Sequence, residues 1–149
     1  MANLDSNDID TVIEEGVLRQ LRTLAHVRER IQRYNTGSKH ALKAVLDDYF
    51  PELRGIFWSM KAKGLWVVLE GCPFPEDVRK VGIKGVAELL AKSTRRKEAA
   101  AKKAAEVYQA AKETVGLNQT GMADRYRVKT YLEEVKRSEG QLKDIEKVF

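Results

Sequence analysis

Cysteine is nearly absent from this 149-residue sequence: Cys72 stands alone, so no disulfide can form within the chain and nothing hints at an oxidising compartment. Proline is confined to Pro51, Pro73 and Pro75, and apart from Gly55, Gly64 and Gly71 the middle has few hairpin signals. The fold class expected is therefore all-α. No apolar run approaches the ~18 residues that a membrane span needs. The acidic start (Asp5, Asp8, Asp10, Glu14, Glu15) is the opposite of a basic signal-peptide n-region. These two features predict a cytoplasmic protein with no membrane partner. His26 and His40 have no cysteine or carboxylate at ligand spacing, which argues against a metal site. No Ser, His and Asp arrangement, phosphate-cradling glycine loop or paired-carboxylate cleft can be made out. The sequence thus predicts no catalytic residue, cofactor or small-molecule substrate. Aromatics are also scarce, at 7%.

What is present is charge and periodicity. Charged residues make up 33% of the chain, and 27 Lys and Arg outnumber 22 Asp and Glu for a net charge of +5. That excess admits nucleic acid without demanding it. Two apolar ladders at alternating three- and four-residue spacing bracket the chain. The first reads Val17, Leu21, Leu24, Arg28, Ile31, Asn35, Ser38, Leu42, Val45, Tyr49; the second reads Val128, Tyr131, Val135, Ser138, Leu142, Ile145, Phe149. Each sustains a heptad, so each predicts a long helix whose narrow seam is buried against another helix. The first helix should start near Asn7 or Asp8 and run to Phe50, where Pro51 stops it. Gly37 interrupts composition but not phase, which favours one helix over two. The polar seam positions Arg28, Asn35 and Ser38 should fix register or partner at some expense of stability.

Between the ladders the spacing shortens. Leu53, Ile56, Phe57 and Met60 suggest one short helix, Leu65 to Leu69 another, Pro73 to Asp77 a turn into a third, and Val86 to Leu90 a further one after a turn at Gly82 to Gly85. These pieces should pack as a small helical knob. Trp58, Trp66, Phe57 and Tyr108 fall on its inner stripes, where core packing is favoured over base stacking. Residues 93–115 read as an alanine-rich helix with Ala101, Ala104, Tyr108, Ala111 and Val115 inside. The architecture expected is a long antiparallel, coiled-coil-like helical stalk capped by a small bundle. Its parts are residues 1–50, 51–116 and 119–149 of one folded unit.

The basic set Arg95, Arg96, Lys97, Lys102 and Lys103, with Lys80 and Lys92 nearby, could touch phosphates, and each such contact would be salt-sensitive. A solvated helix face interleaved with Glu98 and Glu106 is the plainer alternative. Val78 to Leu90 faintly resembles a helix-hairpin-helix, whose turn points backbone N–H groups at phosphate. Lys84 stands where that pattern wants a glycine, and an ordinary turn is the simpler reading.

Arg22-Thr23-Leu24 through Arg28-Glu29-Arg30, then His40 through Leu53 with its Tyr49-Phe50-Pro51-Glu52-Leu53, and Cys72-Pro73-Phe74-Pro75-Glu76-Asp77 carry a resemblance. Over roughly residues 19–149 the chain resembles the middle of bacterial insertion-sequence transposases of the one-ten family, the DEDD transposases. In that family a RuvC-like nuclease domain precedes a helical coiled-coil region, and a domain with an essential serine follows it. The resemblance implies that catalytic carboxylates and serine lie outside this chain, and that structured RNA and DNA are the family's partners. Asp5-Ser6-Asn7-Asp8 is similar to the final Asp-x-x-Asp of the nuclease motif, but Ile9 replaces the usual Ala and the gap to Leu21 is short. Helix-capping acids are the other reading of these residues.

The expected function is a non-catalytic segment of a DNA transposase. It would supply a homodimer through its seams (Leu21, Leu24, Ile31, Leu42, Val45, Val128, Tyr131, Val135, Leu142, Ile145) and contact DNA or structured RNA through the basic helix. The alternative is a purely structural scaffold or adaptor for a different helical protein. An autonomous nuclease using Asp5 and Asp8 is a third, less favoured.

Overall fold

The computed structural model describes residues 6–57, 60, 62–117 and 119–149. Asp5, half of the acidic pair considered above, and Trp58, assigned to the core, lie outside the described residues. Among the described residues every regular element is helical, so the class is all-α. The helices are α1 (Ser6–Tyr49), α2 (Glu52–Phe57), α3 (Lys63–Gly71), α4 (Pro75–Ala91), α5 (Lys97–Glu113) and α6 (Met122–Glu146). As phase continuity predicts, α1 passes through Gly37 unbroken and ends one residue short of Phe50. The chain divides into two compact units: residues up to Gly37 with Lys136–Phe149, and Ser38–Val135.

In the first unit α1 and α6 run antiparallel. Arg28 reaches Glu146 at 3.2 Å, while further along α1 Asn35 Nδ2 donates to Ser138 Oγ at 2.8 Å. Both members of that second pair are buried, so the polar seam positions satisfy one another rather than water. Leu24, Ile31, Leu142 and Ile145 are half-buried around them. Arg137 lies 5.8 Å from the Tyr34 ring centroid.

The seam is not covered over its whole expected length. Leu21 is 36% exposed and Val17 53%, a correction to the expectation that the first ladder is buried from residue 17 onward. The reason is geometric: α6 stops at Glu146, already opposite Arg28, so no α6 residue reaches the turns before it. Phe149, the last rung of the second ladder, is likewise exposed.

The second unit holds the main core. Leu42, Val45, Leu46, Tyr49 and Phe50 from the end of α1 meet Leu53 and Phe57 of α2, Leu65, Val68 and Leu69 of α3, and Val128, Leu132 and Val135 of α6. Each fully buried Val, Leu or Phe contributes roughly 1.5–3 kcal/mol. Tyr131 packs at the edge, half-buried. The Tyr49 and Phe74 rings meet edge to face with centroids 5.4 Å apart. Trp66 keeps its indole half-buried and donates Nε1–H to the Met60 carbonyl at 2.6 Å. Pro75 opens α4, and the Asp77 carboxylate accepts the Phe74 N–H at 3.3 Å. Gly82, at φ 73°, bends α4 where the sequence suggested a turn. A left-handed φ of that kind suits glycine.

The alanine-rich helix differs in phase from the expectation. Its buried stripe is Ala100, Ala104, Val107 and Ala111, whereas Ala101 is exposed and Val115 is 88% exposed. The helix ends at Glu113, and Glu52 holds the following segment: its carboxylate accepts the Val115 N–H at 2.9 Å and the Thr114 hydroxyl at 2.7 Å. Gly116 then passes so close to α1 that a Cβ would collide with the Tyr49 carbonyl, and Leu117 N–H donates to the Asp48 carbonyl at 2.8 Å.

Candidate nucleic-acid interface

The inner stripe of α5 is almost all alanine, which lets this helix approach α4, its chief neighbour. Arg79 of α4 anchors the pair by donating to the Ala111 carbonyl at 3.0 Å. Burying residues 100, 104, 107 and 111 turns residue 102 to the opposite side of the helix and leaves 97 and 103 on its two flanks. The sequence therefore splits its five cations between faces.

Arg95, Arg96, Lys97 and Lys102 are all exposed. Arg96, Lys97 and Lys102, with Glu98 and Ala99, line a depression of about 540 Å³ on the surface of the second unit. The approach to it is ordered: Ser93 Oγ donates to the Leu90 carbonyl at 2.8 Å, and Arg96 N–H to Thr94 Oγ1 at 3.2 Å. Arg96 takes the N-cap position with extended backbone and no side-chain hydrogen bond to the helix. The first N–H groups of α5 thus lack a capping acceptor from that residue. Cations at a helix N-terminus oppose the dipole by ~0.3–1 kcal/mol each, and only Glu98 offsets them in the first turn. An anion in this depression would offset the cations and lie near the positive end of the α5 dipole.

Lys103 departs from the expected set. It is half-buried, donates Nζ to the Ile56 carbonyl at 2.7 Å, lies 3.5 Å from Glu106 and sits 5.8 Å from the Phe57 ring centroid. Its charge is directed to α2 rather than outward, because its flank of α5 faces the end of that helix. Lys63, which the sequence reading passed over, lines a smaller hollow of about 240 Å³ with Lys103, Thr94 and Ala99. Only folding brings it there, since it opens α3 thirty-odd residues before the basic run.

Lys80, Lys84 and Lys92 are exposed, and Val81 and Ile83 flank the Gly82 bend on the surface. Asp8 lies in the first turn of α1, a position that favours the positive end of the dipole. His26 and His40 are exposed, and among the described residues no His, Cys, Asp and Glu side chains are grouped so as to hold a metal. Among those residues, too, no helix is long and apolar enough to cross a membrane. No family model matches the chain, and no curated protein or solved structure matches it significantly.

Proposed function

We propose that this chain is a non-catalytic helical segment of a DNA transposase or recombinase, working in the cytoplasm as a homodimer and contacting DNA or structured RNA. The observation that carries the nucleic-acid half is the exposed group Arg95, Arg96, Lys97 and Lys102 at the uncapped start of α5. The dimer half is supported by the apolar stripe of α1 that the chain itself leaves uncovered. In this reading α5 supplies phosphate contacts and positions the nucleic acid without reading sequence. Chemistry belongs to polypeptide outside these residues, and no cofactor enters.

The test is fluorescence-anisotropy titration with duplex DNA and with a structured RNA at several salt concentrations. Reversing charge at Arg95, Arg96, Lys97 and Lys102 together should weaken binding alike across sequences and flatten the salt dependence. A loss of up to four phosphate contacts would reduce the log–log slope on duplex DNA by about 0.9 each. Lys103→Ala should instead change stability more than the slope. If neither nucleic acid binds the wild-type chain at low salt, this half of the proposal fails. A scaffold for a different helical protein is the second reading, favoured by the same exposed stripe on α1. Indifference of binding to the charge reversal would support it.

A further inference from the structure

Every residue from Asn7 to Thr23 except Gly16 is exposed. Yet Ile9, Ile13, Val17 and Leu21 recur at four-residue spacing and lead into Leu24, so they form one apolar line along the helix. Ile13 is 58% exposed. A line of this length facing water marks an interaction surface rather than ordinary scatter. Charge on the same segment is segregated. Asp8, Asp10, Glu14 and Glu15 occupy its first half with no base among them, whereas Arg19, Arg22, Arg28 and Arg30 occupy its second half with Glu29 as the only acid.

We propose that this face is covered by the same segment of a second copy of the chain, running antiparallel about a two-fold axis at Arg19. The inference rests on the dimer reading above and adds its surface, orientation and register. In this register Val17 of one copy packs beside Leu21 of the other, and Ile13 beside Leu24. Asp10 of one copy comes alongside Arg28 of the other, and Asp8 alongside Arg30. The Arg28 guanidinium, which meets Glu146 of its own chain at 3.2 Å through one nitrogen, keeps its side chain 41% exposed, so a second carboxylate has room to approach it. A parallel pairing would instead set acids on acids and arginines on arginines, and flanking charges of this kind decide helix orientation. Length agrees as well: an overlap of about 20 residues, roughly 30 Å, fills α1 up to the point where α6 ends beside Arg28.

Disulfide trapping in the full chain tests this directly. Cys72 is fully buried with its thiol pushed up to about 11 by burial, so it stays silent in the folded protein. Ile13→Cys and Leu24→Cys chains, mixed and oxidised, should give a cross-linked heterodimer at least tenfold in excess of the product from either chain alone. Efficient cross-linking of the Ile13→Cys chain to itself would overturn the orientation while leaving the dimer reading standing. A single-chain mass by light scattering at high concentration would overturn both. Val17→Asp, at a site the monomer leaves exposed, should retain its helical circular dichroism and halve the mass; an unchanged mass would sink the proposed surface.

Discussion

Glu52 shows how one side chain sets the course of a loop. Burial pushes its carboxyl up, but the Val115 N–H and Thr114 hydroxyl outweigh that and hold it below its ordinary value. A carboxylate with a lowered folded pKa stabilises the fold above its unfolded pKa, about 4.3, and that stabilisation is lost as pH falls through the lowered value. Asp124 carries the same sign, chiefly through the Tyr49 hydroxyl at 2.6 Å and also through Gly121 N–H. Residues 114–117 should therefore loosen below about pH 4, before the core melts, and Glu52→Gln should loosen them at neutral pH. Amide exchange at Val115 and Leu117 measures this. Lys103 marks the limit of reading cations from sequence. Its neighbours in the chain are as basic as those of Lys102, and only the path of α2 past α5 separates an anchored charge from a free one.

At the scale of elements, α5 depends on the smallness of its inner face. Ala104 is fully buried, so Ala104→Leu must push α5 away from its neighbours, an overpacking that costs about 1–3 kcal/mol. Thermal unfolding should fall by roughly 2–4 °C per kcal/mol for a domain of this size. Ala101→Leu, on the exposed side, should leave the midpoint nearly unchanged. The long helices were legible in the sequence because Val, Leu and Ile recur in heptad phase and Pro51 ends the first. The phase of α5 was legible only in part: a run of alanines gives little contrast between faces, so Ala104 and Ala111 are buried as expected while Ala100 and Val107 take the places of Ala101 and Tyr108. The uncovered turns of α1 were equally hidden: periodicity reports that a helix has an apolar line and says nothing of which helix meets it. The polar seam residues Asn35 and Ser138 meet each other across the two helices, and sliding either helix by a turn would break that buried hydrogen bond.

For the molecule as a whole, stability is distributed unevenly. The second unit contains Leu42, Phe50, Val68 and Val107, all with 0% exposure, whereas residues 7–23 of α1 are helical with little burial. Hydrogen exchange should be slowest around those core residues and fastest along 7–23. Raising protein concentration should slow exchange in 7–23 selectively, because pairing with a second copy removes that segment from water. Peptide-resolved exchange at two concentrations provides the comparison. The α1–α6 arrangement in the first unit also fixes where attached probes would sit. Since α6 ends beside Arg28 while α1 continues back to Ser6, a dye placed near residue 146 and one placed near residue 7 are held about 30 Å apart by helix rise alone. The chain thus contains a molecular ruler whose span falls within the working range of energy transfer, and shortening α1 at its start would change that reading in steps of about 1.5 Å per residue.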